Sequence, residues 1–315
     1  MMYPWHYSIW ASLQQARADN RLPHALLFSG DKGCGHEAFM QTIAQNLLCL
    51  SPDPVNGQAC GECRSCQVFT ANAHPDFTRI AAPVDKQVIS VDQIRALNHF
   101  LELSCSYSPV RVALILEAEK MNVNAANSLL KSLEEPAEHT HILLFSTQAS
   151  GLLPTIRSRC QQLRLPLPET PLSVRWLDEQ HPVQESAVLL RLAGGKPLHA
   201  LELDSGELIA ARKIWLQHLL AVLQQEKSIA EVGSEWSNQP REQLLNWQLE
   251  TLQELIRYKL GVSPAGQQEI RTLATRLAGK NLWDLYDQLL ELKQLATHPL
   301  NQRLFAENML SLWLK

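Results

Sequence analysis

The sequence has no run approaching the ~18–20 consecutive apolar residues of a membrane-spanning helix. Its opening, Met1-Met2-Tyr3-Pro4-Trp5-His6-Tyr7-Ser8-Ile9-Trp10, shows no basic stretch followed by an apolar one and does not read as a signal peptide. The expectation is a soluble, cytoplasmic chain with no membrane partner. A strong charge of one sign is missing too, the net charge being −4 and the pI about 6.3. That excludes a global attraction to nucleic acid and leaves room only for a local basic patch. The spacing of a disulfide framework is also absent. Of seven cysteines, Cys60, Cys63 and Cys66 form a tight C-x-x-C-x-x-C cluster, while Cys34, Cys105 and Cys160 are scattered. In an intracellular chain this is a metal pattern.

What is present is an ordinary globular mixture, 45% hydrophobic and 19% charged over 315 residues. That length suits two or three domains at roughly 100–200 residues each. The first half alternates strand and helix. Ala25-Leu26-Leu27-Phe28 suits a buried strand, and Phe39, Ile43 and Leu47 recur behind it at helical spacing. Gln87-Val88-Ile89 reads as a short strand, and Ser90 with Gln93 as a capping box opening a helix through Ile94, Leu97 and Leu101. Val112–Leu116 and His141–Ser146 are continuous apolar runs of the kind buried on both sheet faces. Between them Asn122 or Asn124 can cap a helix carrying Ala126, Leu129, Leu130 and Leu133, which Pro136 stops. Repeated units of this kind predict a mainly parallel α/β sheet. Pro166, Pro168 and Pro171 then mark a linker, and a short helical segment follows, broken near its end by Gly194-Gly195 and Pro197. From about residue 207 only long helical patterns remain, an all-α domain.

The cysteine cluster predicts structural zinc. Two C-x-x-C turns sharing a cysteine supply three thiolates to a tetrahedral ion, and Cys49 or His74 is placed to supply the fourth ligand. Four protein ligands leave no open position for chemistry.

Residues 30–37, G-D-K-G-C-G-H-E, stand where a phosphate loop belongs, between strand and helix. Gly30 and Gly35 meet the pattern G-x-x-x-x-G-K-[ST], with Gly33 between them. His36 replaces the lysine that grips the phosphates and Glu37 the hydroxyl that holds magnesium. Glu37 would repel an anion at the helix start. Lys32 lies on the wrong side of Gly35 to stand in. At the end of the central strand Leu116 takes the position of the metal-supporting aspartate, with Glu117 after it. Nucleotide hydrolysis by this chain is not expected.

Leu129-Leu130-Lys131-Ser132-Leu133-Glu134-Glu135-Pro136, then His141–Thr147, then Ile156-Arg157-Ser158-Arg159-Cys160 resemble the clamp-loader branch of the AAA+ superfamily. Ser158-Arg159-Cys160 matches its S-R-C motif, and the cysteine cluster is similar to its bacterial zinc module, where the first cysteine ends the loop helix. That favours Cys49 with Cys60, Cys63 and Cys66. The resemblance implies an AAA+-type α/β domain with a degenerate loop and inserted zinc module over residues 1–165, a small helical lid over 166–206 and a helical collar over 207–315. In the lid, Leu198 falls where the family carries a sensor arginine, while Ser146 or Thr147 falls at the other sensor position. Arg159 is implied to act in trans as an arginine finger on ATP held by a gamma/tau neighbour. The implied role is a non-catalytic part of the DNA polymerase III holoenzyme, a nucleotidyltransferase complex. Its implied partners are gamma/tau, delta, the beta clamp and, through the complex, primer-template DNA in replication. The competing readings are an active divergent ATPase and a zinc-dependent nucleic-acid binder. The second has only Arg64 and Lys86 near the cluster and no aromatic ladder for base stacking.

Overall fold

The computed structural model describes residues 2–54, 56–83, 86–180, 186–203, 207–262, 268–295 and 301–314. The chain divides into two compact units, one of Met1–Val183 with Gly195–His199 and one of Gln184–Gly194 with Ala200–Lys315.

The first unit is built on a parallel sheet. After helix α1 (Tyr7–Ala18) come strand β1 (Ala25–Gly30), α2 (His36–Leu48), α3 (Arg64–Thr70), β2 (Phe77–Ile80) and α4 (Val91–Glu102). They are followed by β3 (Arg111–Ile115), α5 (Val123–Glu134), β4 (Thr140–Ser146), the short α6 (Pro154–Arg157), β5 (Gln161–Leu165) and α7 (Thr170–Gln180). The five strands are ordered β2-β3-β4-β1-β5, and every pair is parallel. β1 therefore has neighbours that lie on opposite sides of it in the sheet and both follow it in the chain. In such sheets the crevice at the carboxyl end of that strand is the usual ligand position, and residues 31–35 occupy it.

The core follows from strand alternation. Leu26, Phe28, Val112, Leu114, Leu143 and Phe145 face α1 and α2, where Trp10, Phe39, Met40 and Ile43 meet them. Ala25, Leu27, Ala113, Ile115, Ile142 and Leu144 face the other way, onto Ile94 and Leu97 of α4 and Leu129 and Leu133 of α5. α4 starts in the expected capping box of Ser90 and Gln93, and Asn122 caps α5.

Two expectations change. Gln87-Val88-Ile89 is not a strand: Gln87 is left-handed at φ 52°, and only Ile89 bridges, to Met121. The strand in that region is β2, which the sequence reading passes over along with β5. Both are edge strands, half-exposed or exposed along most of their length, so neither shows a continuous apolar run.

The second unit is helical: α8 (Ser186–Leu192), then, after α9 (Pro197–Glu202), helices α10 (Glu207–Leu223), α11 (Ile229–Trp236), α12 (Arg241–Lys259), α13 (Gln268–Arg276), α14 (Leu282–Leu295) and α15 (Gln302–Leu314). Its core centres on Trp215, Leu219, Leu245, Trp247, Leu252 and Trp313. Among the described residues no helix is long and apolar enough to cross a membrane.

Candidate functional site

The glycine loop joins β1 to α2 at the sheet's carboxyl edge. Gly35 caps α2 in the left-handed conformation at φ 76°, and a side chain there would enter the Tyr3 ring. Tyr3 and Trp5 stack with centroids 5.1 Å apart, and both meet Trp176 of α7 edge-on. The indole of Trp5 donates to the Cys34 carbonyl at 2.8 Å. On another side Leu198 donates its backbone N–H to the Gly33 carbonyl at 2.9 Å. The loop is thus covered by the chain's own residues.

The side chain in the P-loop lysine position turns inward. His36 is 3% exposed, and a Cβ at Gly30 would lie 2.7 Å from both its Nε2 and the Leu165 carbonyl. Its Nδ1 lies 3.2 Å from Nε2 of the buried His6, whose ring stacks on Phe39. The nearby cations are engaged elsewhere. Lys32 pairs with Glu117, which also binds Lys120 at 3.0 Å, and Lys196 lies 3.8 Å from Asp31. Glu37 pairs with Arg79 at 2.6 Å, and Thr147 bonds Glu119 through its backbone N–H at 3.1 Å. Ser146 is fully buried and accepts from the Gln148 N–H. Among the described residues, Lys32, Lys196 and Glu37 around the loop are thus each paired with an opposite charge.

The histidine pair makes the fold acid-sensitive. Burial, reinforced by the neighbouring His36, pushes His6 down to about 3, and burial pushes His36 down to about 4. His6 Nδ1 and His36 Nε2 have no hydrogen-bond partner, so an added proton would create a buried N–H without an acceptor. Below pH 6.5 the unfolded chain takes up protons that the folded pair excludes. Stability is therefore complete above pH 6.5 and falls as pH drops from there toward 4. Each histidine should lose about 2 kcal/mol between pH 6.5 and 5, at about 1.4 kcal/mol per pH unit. Urea unfolding at pH 7 and pH 5 measures this. His6→Phe, which keeps the stacked ring, should remove about half of the histidine-linked loss; an unchanged slope would acquit the pair.

The cysteine cluster lies at the far end of α2. The sulfurs of Cys49, Cys60, Cys63 and Cys66 all fall within 4.8 Å of one another, so the group could hold a metal ion. Three of the sulfur–sulfur separations are 3.6, 4.0 and 4.0 Å. A tetrahedral ion with metal–sulfur bonds of ~2.3 Å requires sulfur edges of ~3.8 Å, so the set fits. Backbone N–H groups of Cys60, Cys63 and Cys66 point at the sulfurs of Cys49, Cys60 and Cys63 at 3.3–3.4 Å, which stabilises thiolate charge. His74 is engaged differently: its Nδ1 accepts from the Asp76 N–H at 3.0 Å, so Nε2 carries the proton between Ser65 and Ser108. Both serines donate to the Leu48 carbonyl, tying this network to the end of α2.

In Ser158-Arg159-Cys160 the cysteine turns inward while its two neighbours stay at the surface, Arg159 reaching the Ser158 hydroxyl at 3.4 Å. Cys160 packs into the core, where burial pushes its thiol up to about 11, and Ser158 donates to the Thr155 carbonyl at 3.1 Å. Arg159 is turned outward, 35% exposed, bonding the Thr155 carbonyl and pairing with Glu134 of α5 at 2.6 Å. The motif anchors an arginine at the surface by burying its neighbour. The sequence reading missed the filling of the loop by Tyr3, Trp5, His6 and Trp176. Only the aromatic density of the first ten residues signals it.

The profile of the family described as DNA polymerase III, delta subunit, matches residues 5–169. The DNA polymerase III subunit delta' of Pseudomonas aeruginosa is 34% identical, covering 99% of this chain and 97% of its own length. That of Haemophilus influenzae is 31% identical over 83% of this chain and 79% of its own. That of Escherichia coli is 33% identical over 69% and 65%.

Proposed function

The chain belongs to the DNA polymerase III subunit delta' family, and from that premise we propose that it is a clamp-loader subunit that hydrolyses no nucleotide itself. It works beside gamma/tau and delta to place the beta clamp on primed DNA during replication. The observation that carries this reading is the 34% identity running over 99% of the chain. The inward His36, the Lys32–Glu117 pair and Leu198 at the sensor position support the absence of hydrolysis. We read residues 1–165 as the AAA+-type domain, 166–206 as the lid and 207–315 as the collar.

Two sites complete the reading. Cys49, Cys60, Cys63 and Cys66 hold a structural zinc, which thiolate sets of this size select. Zinc there would fix residues 50–66 onto the end of α2 and supply no reaction. Arg159 leaves Glu134 on assembly and reaches the ATP of a neighbouring gamma/tau subunit, where its planar fork matches developing phosphoryl charge.

Reconstitution tests the function. Gamma/tau and delta should load beta onto primed DNA efficiently only when this chain is added, while the isolated chain turns over no ATP. Turnover by the isolated chain would support a divergent ATPase instead. Full loading without the chain would overturn the subunit assignment.

A further inference from the structure

Beside the starts of β1, β3 and β4, at the end of the sheet opposite the glycine loop, lies an open cleft of about 220 Å³. Arg17, Asn20, Leu22, Leu47, Val110 and His141 line it. Two of its polar side chains are fixed from behind. Nη1 of Arg17 donates to the side chain of the buried Asn46 at 2.6 Å and to its backbone carbonyl at 2.9 Å, and the Asn46 amide donates in turn to the Gly57 carbonyl. The guanidinium is thus held through one nitrogen. Its Nε and Nη2 are accessible and have no partner among the described residues.

His141 is oriented by one hydrogen bond as well. Its Nδ1 donates to the Pro23 carbonyl at 3.3 Å, so in the neutral ring Nε2 is a bare acceptor. That nitrogen too is accessible and unpartnered among the described residues. Burial keeps the ring neutral by pushing it below the usual histidine value, and the positive charges of Arg17 and His24 act in the same direction. The cleft therefore sets a fixed cation beside a fixed lone pair.

The surroundings favour an anion. The carboxylate at the end of α1, Asp19, is exposed and accepts from the Gln15 amide at 3.0 Å. The carbonyls that end α1 and α2 would oppose negative charge, but they are already taken. Gln15, Ala16 and Arg17 accept from the N–H groups of Asp19, Arg21 and Asn20, and Asn46 accepts from Arg17 and the Cys49 N–H.

The ligand must accept from Arg17 and donate to His141. Carboxylates and sulfate offer acceptors alone at neutral pH. A phosphomonoester, with a second pKa of about 6, has by then largely lost its O–H. Hydrogen phosphate keeps one O–H while carrying two negative charges, and it is small enough for a cleft below the roughly 300–1,000 Å³ of cofactor sites. We propose that this cleft binds inorganic phosphate, with Nε and Nη2 of Arg17 forking two oxygens and Nε2 of His141 accepting the remaining O–H. The site is separate from the glycine loop and stands whether or not the subunit assignment does.

Titration of the full chain with inorganic phosphate, sulfate and methyl phosphate at slightly alkaline pH is the test, read by calorimetry and by the His141 side-chain nitrogen resonances. One phosphate should bind per chain and shift the Nε2 resonance. Sulfate and methyl phosphate should bind about tenfold more weakly or worse, the scale of a lost charge-assisted hydrogen bond. His141→Phe should level phosphate and sulfate, and Arg17→Gln should weaken both by about tenfold or more. Thermal unfolding checks each variant, because Arg17 also steadies Asn46; if Arg17→Gln does not fold, the wild-type preference and His141→Phe decide. Absence of saturable phosphate binding, equal affinity for phosphate and sulfate, or undiminished preference in the His141→Phe protein would each overturn the proposal.

Discussion

Replacing Arg159 with alanine in an assembled loader should lower ATP turnover at the neighbouring gamma/tau site by about 1,000-fold or more, the scale of a lost arginine finger, if the residue acts as proposed. Assembly should persist, because the side chain is partly exposed and its partners, Glu134, the Thr155 carbonyl and the Ser158 hydroxyl, lie at the surface. A single-turnover measurement of the affected site is the decisive readout. Arg159→Lys keeps the charge but not the planar fork and should recover little activity. Glu134→Gln releases the guanidinium from its ion pair and should leave turnover intact or raise it. Unchanged DNA-stimulated turnover in the alanine variant would take Arg159 out of the mechanism.

The second large effect concerns the metal. Cys66→Ser should reduce bound zinc from one per chain to near zero and lower the unfolding free energy on the order of 5 kcal/mol, as loss of a structural metal does. Cys66 is fully buried and Cys49 2% exposed, so freed thiols there cannot be satisfied by solvent. Cys105→Ser, at an exposed cysteine outside the cluster, should change neither quantity. Metal analysis paired with denaturant unfolding makes the comparison. Stoichiometric zinc in the Cys66→Ser protein would show that the four sulfurs are not the ligand set.

How much of this was legible depended on how local the signal was. β1, β3 and β4 are buried on both faces, and their apolar runs are visible without any knowledge of partners. β2 and β5 border the sheet, and Gln161-Gln162-Leu163-Arg164-Leu165 carries a polar pattern suited to solvent. Cys60, Cys63 and Cys66 announced themselves by spacing alone. The place of Cys49, eleven residues before Cys60, depends on the path of the intervening loop. The glycine loop was equally plain, but its filling was not. Trp5 reaches Cys34 across 29 positions, and Trp176 arrives from α7. No periodicity encodes such meetings. Glu134 stands within a motif of its own, yet its pairing with Arg159 arises only when α5 and the segment after α6 pack together.

α2 has an unusual situation for a helix of 13 residues, ~20 Å long at 1.5 Å per residue. Helix ends normally fray, and their amides exchange with solvent through small local openings. Here the first turn is held under the Tyr3–Trp5 stack and the His6–His36 contact, and the last delivers the Leu48 carbonyl to two serines and Cys49 to the cysteine cluster. Neither terminus is loose. Its amides should therefore exchange only through the largest openings of the first unit. Acid and chelation would then leave opposite signatures along one rod, deuterium entering from the His36 end in the first case and from the Leu48 end in the second.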